Sequence, residues 1–327
     1  MTNDTLTKKP KVSIVIPTYK GEKSIAKLVD QLVSEFADTP IEIIIVNDAS
    51  PDQSHEICIN IQKKHPSLVH YLRLGKNVGE HSAVMAGLNH AISDYVVVVD
   101  DDLQNPPGEV LKLFNYTITN KYDVVYTSYS RKKHPRFRNW GSKFNDISAT
   151  LLLGKPKLLY LSSFKCMTRY VVEEIIKYKG PFPYIDGLLL KCTDNIGILE
   201  VAHYERSESK SGYTLKKLFQ LWMNMAFNFS FLPLRISFFL GLFISSLGFG
   251  YAIYTFVNKL YDPSLPTGWA SLIILISVFS GVQLILLGVI GEFLGKVLMS
   301  INQFPQYSVK EYFSSRERKK TKKNHKS

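Results

Sequence analysis

The stretch Tyr95-Val96-Val97-Val98-Val99-Asp100-Asp101-Asp102-Leu103-Gln104 joins an apolar run directly to three consecutive carboxylates. Its β-branched and aromatic residues favour a strand, and the absence of polar alternation favours burial on both faces, as in a parallel sheet. Ligands of such sheets bind at the carboxyl ends of the strands, where the three acids would lie. The stretch therefore predicts an α/β fold with a functional site at this edge.

Similar apolar runs alternate with helical periods along the first part of the chain. The runs predicted as strands are Val12–Ile16, Ile41–Val46, Val69–Leu72, Tyr95–Val99 and Val124–Tyr126. The segments predicted as helices are Glu22–Phe36, Pro51–Lys64, Glu80–Ile92 and Pro107–Thr119. This order predicts a Rossmann-like domain with a mostly parallel sheet over residues 1–213.

Composition and missing motifs exclude several classes of protein. An apolar fraction of 45% excludes a disordered chain, and three cysteines without C-x-x-C spacing indicate neither a disulfide scaffold nor a zinc site. No G-x-G-x-x-G follows the first predicted strand, and G-x-x-x-x-G-K-[ST] is absent. The phosphate cradles of dinucleotide-binding and P-loop proteins are therefore missing.

The three acids at the end of the fourth strand point to a cation. Adjacent carboxylates repel one another, and a hard divalent ion shared with a substrate diphosphate would offset that repulsion. The alternative is a solvated acidic turn, which is the commoner explanation of a charge run. The apolar strand in front of the acids favours the ion, because it leads them to the ligand-binding edge.

Two long uncharged runs follow the predicted α/β domain. Ile236–Val257 has 22 residues and Trp269–Gly291 has 23. As helices with a rise of ~1.5 Å per residue, each is longer than ~30 Å, enough to cross the core of a bilayer. We therefore predict two membrane spans within residues 236–300, at about 236–257 and 269–291; the alternative is a pair of buried helices in a soluble core.

The charge around these runs predicts their orientation. The net charge is +12, and Lys310–Ser327 contains eight Lys or Arg residues against two Glu. The loop Asn258–Gly268 contains only Lys259 and Asp262 as charged residues. By the positive-inside rule, the domain 1–213, both termini and the basic tail 301–327 are cytoplasmic, at the inner (plasma) membrane. A basic tail beside a span indicates membrane lipids as its partner and no nucleic acid.

The segment 214–235 between the two parts has a helical apolar stripe. Its members recur at spacings of three and four: Leu218, Leu221, Trp222, Met225, Phe229 and Leu232. Such a stripe, with basic residues near the ends of the segment, predicts an amphipathic helix in the membrane interface. The alternative is a helix that packs on the α/β domain.

Four blocks of sequence together resemble a known family. They are VSIVIPTY (12–19), VNDAS (46–50), NVGEHSAVMAG (77–87) and DDDLQNPP (100–107). The chain resembles the family 2 glycosyltransferases of GT-A fold, and with two C-terminal spans it is similar to polyprenyl-phosphate glycosyltransferases over nearly its whole length. This resemblance implies an inverting transfer of one sugar from a nucleotide-diphosphate sugar, with a UDP-sugar as first choice, to undecaprenyl phosphate for cell-envelope glycans. It also implies a homotetramer.

The resemblance assigns a donor site. Asp100, Asp102 and Gln104 match the metal site for Mg²⁺ or Mn²⁺, with Asp102 also catalytic. The residues that match the donor nucleotide site are Pro17, Tyr19, Asp48, Asn77, Asp100 and Asp101. Where the family has Asn-Glu after the Tyr, this chain has Lys20-Gly21. Without the resemblance, Asp48 is equally well explained as a helix N-cap.

The acceptor phosphate is assigned in the same way to two basic segments. Arg131, Arg138 and Ser142 match the acceptor loop of the family, and Arg206, Ser209 and Lys210 match the stretch before its membrane helices. Taken alone, the first segment is a solvated loop or a nucleic-acid patch, and the second a basic juxtamembrane segment.

The general base is the point where the chain departs from the family, because Ser163 stands where similar enzymes often have Asp. Asp186 falls where many family members place a catalytic Asp, and its alternative role is a helix N-cap. A lipid monophosphate has its second pKa near ~6, so it is already nucleophilic at neutral pH and needs little help from a base.

Two other functions fit the same residues. One is a membrane-bound glycosyltransferase with a saccharide acceptor, although the Q-x-x-R-W motif of processive synthases is absent. The other is a non-catalytic GT-A domain that acts as a membrane scaffold, which Ser163 favours and the complete D-x-D-x-Q pattern opposes.

Overall fold

A computed structural model describes residues 10–129, 159–202, 232–261, 268–302 and 304–315. The chain divides into two compact units. The first unit comprises Met1–Thr214 together with Gln303–Ser327, and the second comprises Leu215–Asn302. The C-terminal residues thus belong to the same unit as the N-terminal domain, although the second unit separates them in sequence.

The first unit begins with a regular alternation of strands and helices. Its first elements are β1 (Val12–Thr18), α1 (Ile25–Glu35), β2 (Ile41–Asn47), α2 (Ser54–Lys64), β3 (Val69–Leu74), α3 (Glu80–His90), β4 (Tyr95–Val98), α4 (Pro107–Asn120) and β5 (Val124–Tyr129). They are followed by β6 (Lys165–Thr168), α5 (Arg169–Ile175), α6 (Ile185–Cys192), β7 (Ile196–Val201) and, at the far end of the chain, β8 (Val309–Phe313). The predicted strands and helices are confirmed, with ends that differ by up to three residues.

The strands form one eight-stranded sheet in the order β7-β5-β6-β4-β1-β2-β3-β8. The pairs β1–β2, β1–β4, β2–β3 and β5–β7 are parallel, whereas β6 and β8 pair with their neighbours in the antiparallel sense. The sheet is therefore mixed and mostly parallel, as predicted. Strands β6, β7 and β8 were not among the predicted strands.

Helices cover both faces of this sheet. Along β1, Ile14 and Ile16 pack into a core with α1, α2 and α4, whereas Val15 packs into a second core with α3, α5 and α6. Successive residues of a strand point to opposite faces, so both sets must be apolar when both faces are covered. This double burial explains why the strands carry unbroken apolar runs.

Helix α3 lies close to the sheet at Gly87. A Cβ atom at this position would overlap Val15 Cγ1 and lie 3.3 Å from Val46 Cγ2. We expect Gly87→Ala to destabilise the domain by about 1–3 kcal/mol, because both valines are fixed in the core. The matched control is Gly108→Ala in α4, where the nearest atom would be Glu35 Oε1 at 3.5 Å.

Gly108→Ala is expected to be neutral or to stabilise the chain by about 0.4–1 kcal/mol, because alanine lowers the entropy of the unfolded chain. The measurement is the midpoint of thermal unfolding of both variants in detergent. An equal decrease for the two glycines would contradict the tight packing of α3.

Part of the predicted tail 301–327 is a strand of the sheet. Strand β8 pairs with β3, with Phe313 opposite Tyr71 and their rings stacked at 5.7 Å. Beyond the strand, Ser314 Oγ lies 2.7 Å from Nδ1 of His70, which is 1% exposed and faces the buried Glu42. The predicted basic tail 301–327 therefore contains a strand of the sheet, which its charge-dominated composition did not indicate.

The second unit contains two long helices, α7 (Leu232–Tyr261) and α8 (Trp269–Ile301). Within the described residues, one segment is long and apolar enough to cross a membrane, Val278–Ile301, with a mean hydropathy of 2.0. A shorter apolar segment, Ser237–Tyr251, lies within α7. Both helices begin at or before the predicted spans and extend beyond them, and the predicted interfacial helix lies outside the described residues except for 232–235.

Candidate active site

Three turns at the carboxyl edge of the sheet have an unusual backbone. Lys20 after β1, Ala49 after β2 and Leu103 after β4 have φ values of 60°, 52° and 61°. Non-glycine residues in this left-handed region cost on the order of 1–3 kcal/mol each and persist only where surrounding contacts hold them. Such residues cluster at functional sites, and here they lie on the turns that carry the predicted donor residues.

Asp48 ties one of these turns to the loop before α3. Its two carboxylate oxygens accept hydrogen bonds from the backbone N–H groups of Val78 and Gly79, both at 2.8 Å. The pKa of Asp48 is raised, because the effect of burial outweighs the opposing effect of these two hydrogen bonds. Asp48 is therefore not the cap of the next helix, which begins after Gln53; instead it brings the loop containing the exposed Asn77 to the same edge.

The turn after β1 lies next to the turn after β2. Pro17 is paired with Val46 in the sheet register, and the backbone N–H of Lys20 donates to Ser50 Oγ at 3.1 Å. The ring of Tyr19 is 47% exposed, and Lys20 Nζ lies 5.6 Å from its centroid. An exposed ring beside a cation is suited to stacking on a nucleobase.

Hydrogen bonds from a side chain and from the backbone help to hold the acidic turn. Ser163 Oγ donates to Asp100 Oδ2 at 2.6 Å, and the backbone N–H of Gln104 donates to Asp102 Oδ1 at 3.1 Å. Ser163, which replaces the Asp of similar enzymes, thus contacts a predicted metal ligand directly. A serine can hold this carboxylate in place but cannot serve as a base at neutral pH.

Gly21 explains how the chain accommodates its departure from the family pattern. A Cβ atom at this position would overlap Asp101 Oδ2 and lie 2.8 Å from Thr18 Cγ2. The carboxylate of Asp101 therefore occupies the space that a larger residue at position 21 would need. The absence of a side chain at Gly21 thus leaves room for the carboxylate of Asp101, the middle acid of the turn.

The acidic turn fits a divalent ion that is shared with a ligand. Carboxylate oxygens of Asp100 and Asp102 are hard donors, the type preferred by Mg²⁺ and Mn²⁺. Among the described residues, no three His, Cys, Asp or Glu side chains form a metal cluster. Mg²⁺ commonly binds through one or two carboxylates together with phosphate and water oxygens. The donor set therefore suits an ion completed by a diphosphate.

A buried ion pair lies beside the acids and was not predicted. Asp186 and Lys165 are 6% and 3% exposed, and Asp186 Oδ1 accepts hydrogen bonds from Lys165 Nζ and, at 3.0 Å, from Tyr126 Oη. Lys165 Nζ also lies 5.1 Å from the centroid of the Tyr126 ring. The N-cap of α6 is Tyr184, so the alternative role of Asp186 as a cap is wrong. Two donors of the chain itself, Lys165 and Tyr126, thus bind Oδ1 of Asp186, and its base role stays a prediction.

The start of α3 adds two titratable groups to this cluster. The pKa of Glu80 is raised to about 7, first by burial and then by the charges of Asp100 and Asp186, against the opposing charge of Lys165. Glu80 retains exposed surface, so water moderates this effect. Burial lowers the pKa of His81 to about 4, so this imidazole is neutral at pH 7.

Glu80 lies in the NVGEHSAVMAG block that carried the resemblance, so the position could have been identified from sequence. No comparable sequence pattern indicated that Lys165 and Tyr126 would be buried. The six predicted acceptor residues, Arg131, Arg138, Ser142, Arg206, Ser209 and Lys210, lie outside the described residues.

Comparison with known families agrees with this architecture. Residues 13–176, half of the chain, match Glycosyl transferase family 2. The chain belongs to this family, and it is a glycosyltransferase with a Rossmann-like, mixed GT-A sheet. Residues 232–297 match a second family, the GtrB C-terminal hairpin.

Two curated relatives align over almost their whole length. The undecaprenyl-phosphate 4-deoxy-4-formamido-L-arabinose transferase of Photorhabdus laumondii is 30% identical over 92% of this chain and 94% of its own. The uncharacterized glycosyltransferase YkcC of Bacillus subtilis is 31% identical over 92% and 94%. A crystal structure of a mycobacterial protein has a TM-score of 0.50 and 17% identity, covering 66% of this chain and 72% of that one, and shows a shared fold.

Proposed function

We propose that the protein transfers a single sugar, with inversion, from a nucleotide-diphosphate sugar to a polyprenyl phosphate. A UDP-sugar is the first choice of donor and undecaprenyl phosphate the first choice of acceptor. The observation that carries the proposal is the acidic turn 100–104 at the carboxyl edge of the sheet, beside the loops joined by Asp48. The name of the Photorhabdus relative and the match to the GtrB C-terminal hairpin support the lipid acceptor.

In this proposal the donor lies along the carboxyl edge. The nucleoside contacts Pro17, Tyr19, Asp48 and Asn77, and Asp101 lies next to the diphosphate. Asp100, Asp102 and Gln104 hold Mg²⁺ or Mn²⁺, which, when bound, neutralises charge on the departing nucleoside diphosphate. The burial of Asp48 and the exposure of the Tyr19 ring support these two roles.

The acceptor phosphate needs little activation. It is mostly dianionic at neutral pH, because its second pKa is near ~6. One of its oxygens forms the new bond to the anomeric carbon while the bond to the diphosphate oxygen breaks on the opposite face. The residues of the chain then mainly position the two phosphates and stabilise the leaving group. Ser163 holds Asp100, and the buried Lys165 supplies a positive charge that, like the charge of Asp100, acts on Glu80.

The membrane part of the proposal concerns the rest of the chain. Residues 214–235 form an interfacial helix, 236–300 contain two spans, and 301–327 return to the cytoplasm with the N-terminal domain. Arg131, Arg138, Ser142, Arg206, Ser209 and Lys210 hold the acceptor phosphate. The enzyme lies in the inner membrane among anionic lipids, as a homo-oligomer of tetramer size. The apolar segment Val278–Ile301 and the net charge of +12 support this arrangement.

The test is transfer to undecaprenyl phosphate in detergent, with Mn²⁺ or Mg²⁺ and a panel of UDP-, GDP- and dTDP-sugars. We expect one donor to give a lipid-linked monophosphate sugar and EDTA to abolish the product. Release of nucleoside diphosphate without a lipid product would favour a saccharide acceptor. Neither product nor release from any donor would favour the non-catalytic scaffold.

A further inference from the structure

A chain of polar contacts runs from the C-terminal strand to the donor edge. Glu311 on β8 accepts a hydrogen bond from Arg73 Nη1 on β3 at 2.9 Å. The same Arg73 nitrogen lies 3.2 Å from His55 Nε2, and His55 Nδ1 lies 2.8 Å from Tyr71 Oη. Asn47 Nδ2, at the end of β2, donates to the same hydroxyl at 3.0 Å.

The ion pair at the start of this chain holds the imidazole of His55. A guanidinium only donates, and Arg73 Nη1 donates to Glu311 Oε1. His55 Nε2 lies 3.2 Å from the same Arg73 nitrogen and 3.7 Å from Glu311 Oε2, so the ring contacts both members of the pair. The pair thereby fixes the ring whose Nδ1 contacts the Tyr71 hydroxyl.

The far end of the chain sets the orientation of an amide. With its nitrogen bound to Tyr71, Asn47 presents Oδ1 to the backbone N–H of Ser50, which donates to it at 2.8 Å. Ser50 Oγ in turn accepts the N–H of Lys20. Both turns contain left-handed residues, Lys20 and Ala49, that depend on surrounding contacts. Asn47 and Tyr71 are fully buried, so water does not replace a lost partner.

We propose that Glu311, Arg73, His55 and Tyr71 form a positioning relay, through which the strand after the two long helices orients the turns 20–21 and 47–50. These are positioning residues, since none of them is placed on the substrate. The inference rests on the proposed function where it assigns the donor nucleotide to these turns. Its structural part, a connection from β8 to residues 47–50, stands independently.

The test compares Glu311→Ala and Arg73→Met with Lys310→Ala, a control on the exposed side of β8. Hydrogen–deuterium exchange of the full-length protein in detergent is measured on peptides that cover residues 47–54. We expect exchange there to become about 10-fold faster in both relay variants and to stay unchanged in the control, which corresponds to the loss of about one hydrogen bond. Glu311→Gln keeps an acceptor oxygen for Arg73 and is expected to restore most of the protection.

Calorimetry with UDP and Mn²⁺, and the split between donor KM and kcat, give the second readout. The relay predicts about 10-fold weaker UDP binding and a similar rise in KM, with kcat within about twofold of wild type. Faster exchange confined to β3 and β8, with residues 47–54 unchanged, would overturn the relay. Hydrogen–deuterium exchange needs no ligand. If the protein binds no nucleotide, the proposed function is refuted, and the exchange data still show whether the relay exists.

Discussion

Asp102→Asn is expected to lower the kcat of glycosyl transfer by about 10²- to 10³-fold and to leave the thermal unfolding midpoint unchanged. The amide can still accept the Gln104 N–H, which Asp102 Oδ1 now accepts at 3.1 Å, so the turn keeps its shape. What is lost is the negative charge that we propose holds a divalent ion against the donor diphosphate, and fixed charges at a leaving group have effects of this size. The measurements are turnover and Mn²⁺ affinity in the presence of UDP.

The matched control is Asp94→Asn, the same change just before the other end of β4, where the residue is exposed. It is expected to retain wild-type turnover and Mn²⁺ affinity. Wild-type values for Asp102→Asn as well would mean that this carboxylate holds no ion that the reaction needs, and the assignment of the acidic turn would be wrong.

Lys165→Met is expected to have the second large effect, on both stability and turnover. The change leaves Asp186 buried without its ammonium partner, and breaking a buried ion pair in this way destabilises proteins by about 3–5 kcal/mol. Turnover is expected to fall by at least about 10²-fold, because the buried ammonium is lost whose charge, like that of Asp100, acts on Glu80. The measurements are the unfolding midpoint and the transfer rate in detergent.

The double variant Lys165→Met/Asp186→Asn separates these two effects. Neutralising both partners removes the unpaired charge, and the amide oxygen introduced at position 186 can still accept the Tyr126 hydroxyl, so stability is expected to return close to wild type. Turnover is expected to stay about 10²-fold low if the ammonium acts on the reacting phosphates. A stable double variant with wild-type turnover would show that the pair has a structural role alone and that Asp186 is no base.

The elements that the sequence predicted well are those whose pattern is local. Strands β1 to β5 carry unbroken apolar runs because helices cover both faces, and the acids follow β4 directly in the chain. The residues of the proposed donor site, from Pro17 to Gln104, lie at strand ends that such runs identify. The contacts within this site could not be predicted from local patterns, since the hydrogen-bond partners of Asp48 lie 30 and 31 residues away in the sequence.

The elements that escaped prediction depend on distant partners. Strand β6 has four residues and begins with Lys165, and a lysine argues against a buried strand unless its counter-charge is known. That counter-charge is Asp186, on a helix 21 residues later. Strand β8 is more extreme, because its ion pair joins Glu311 to Arg73 across 238 residues and two long helices. No periodicity within a short window contains that information.

The position of β8 in the chain has a consequence for biosynthesis. A ribosome makes β3 early and β8 only after both long helices, so β3 remains an open edge during the synthesis of the intervening segments. An open edge strand presents unpaired backbone groups to other chains. The contact between His70 and Ser314 likewise forms only after residue 314 has been synthesised. The sheet is therefore complete only in chains whose two long helices have already been synthesised. Pairing of β8 with β3 thus couples completion of the sheet to synthesis of the two long helices.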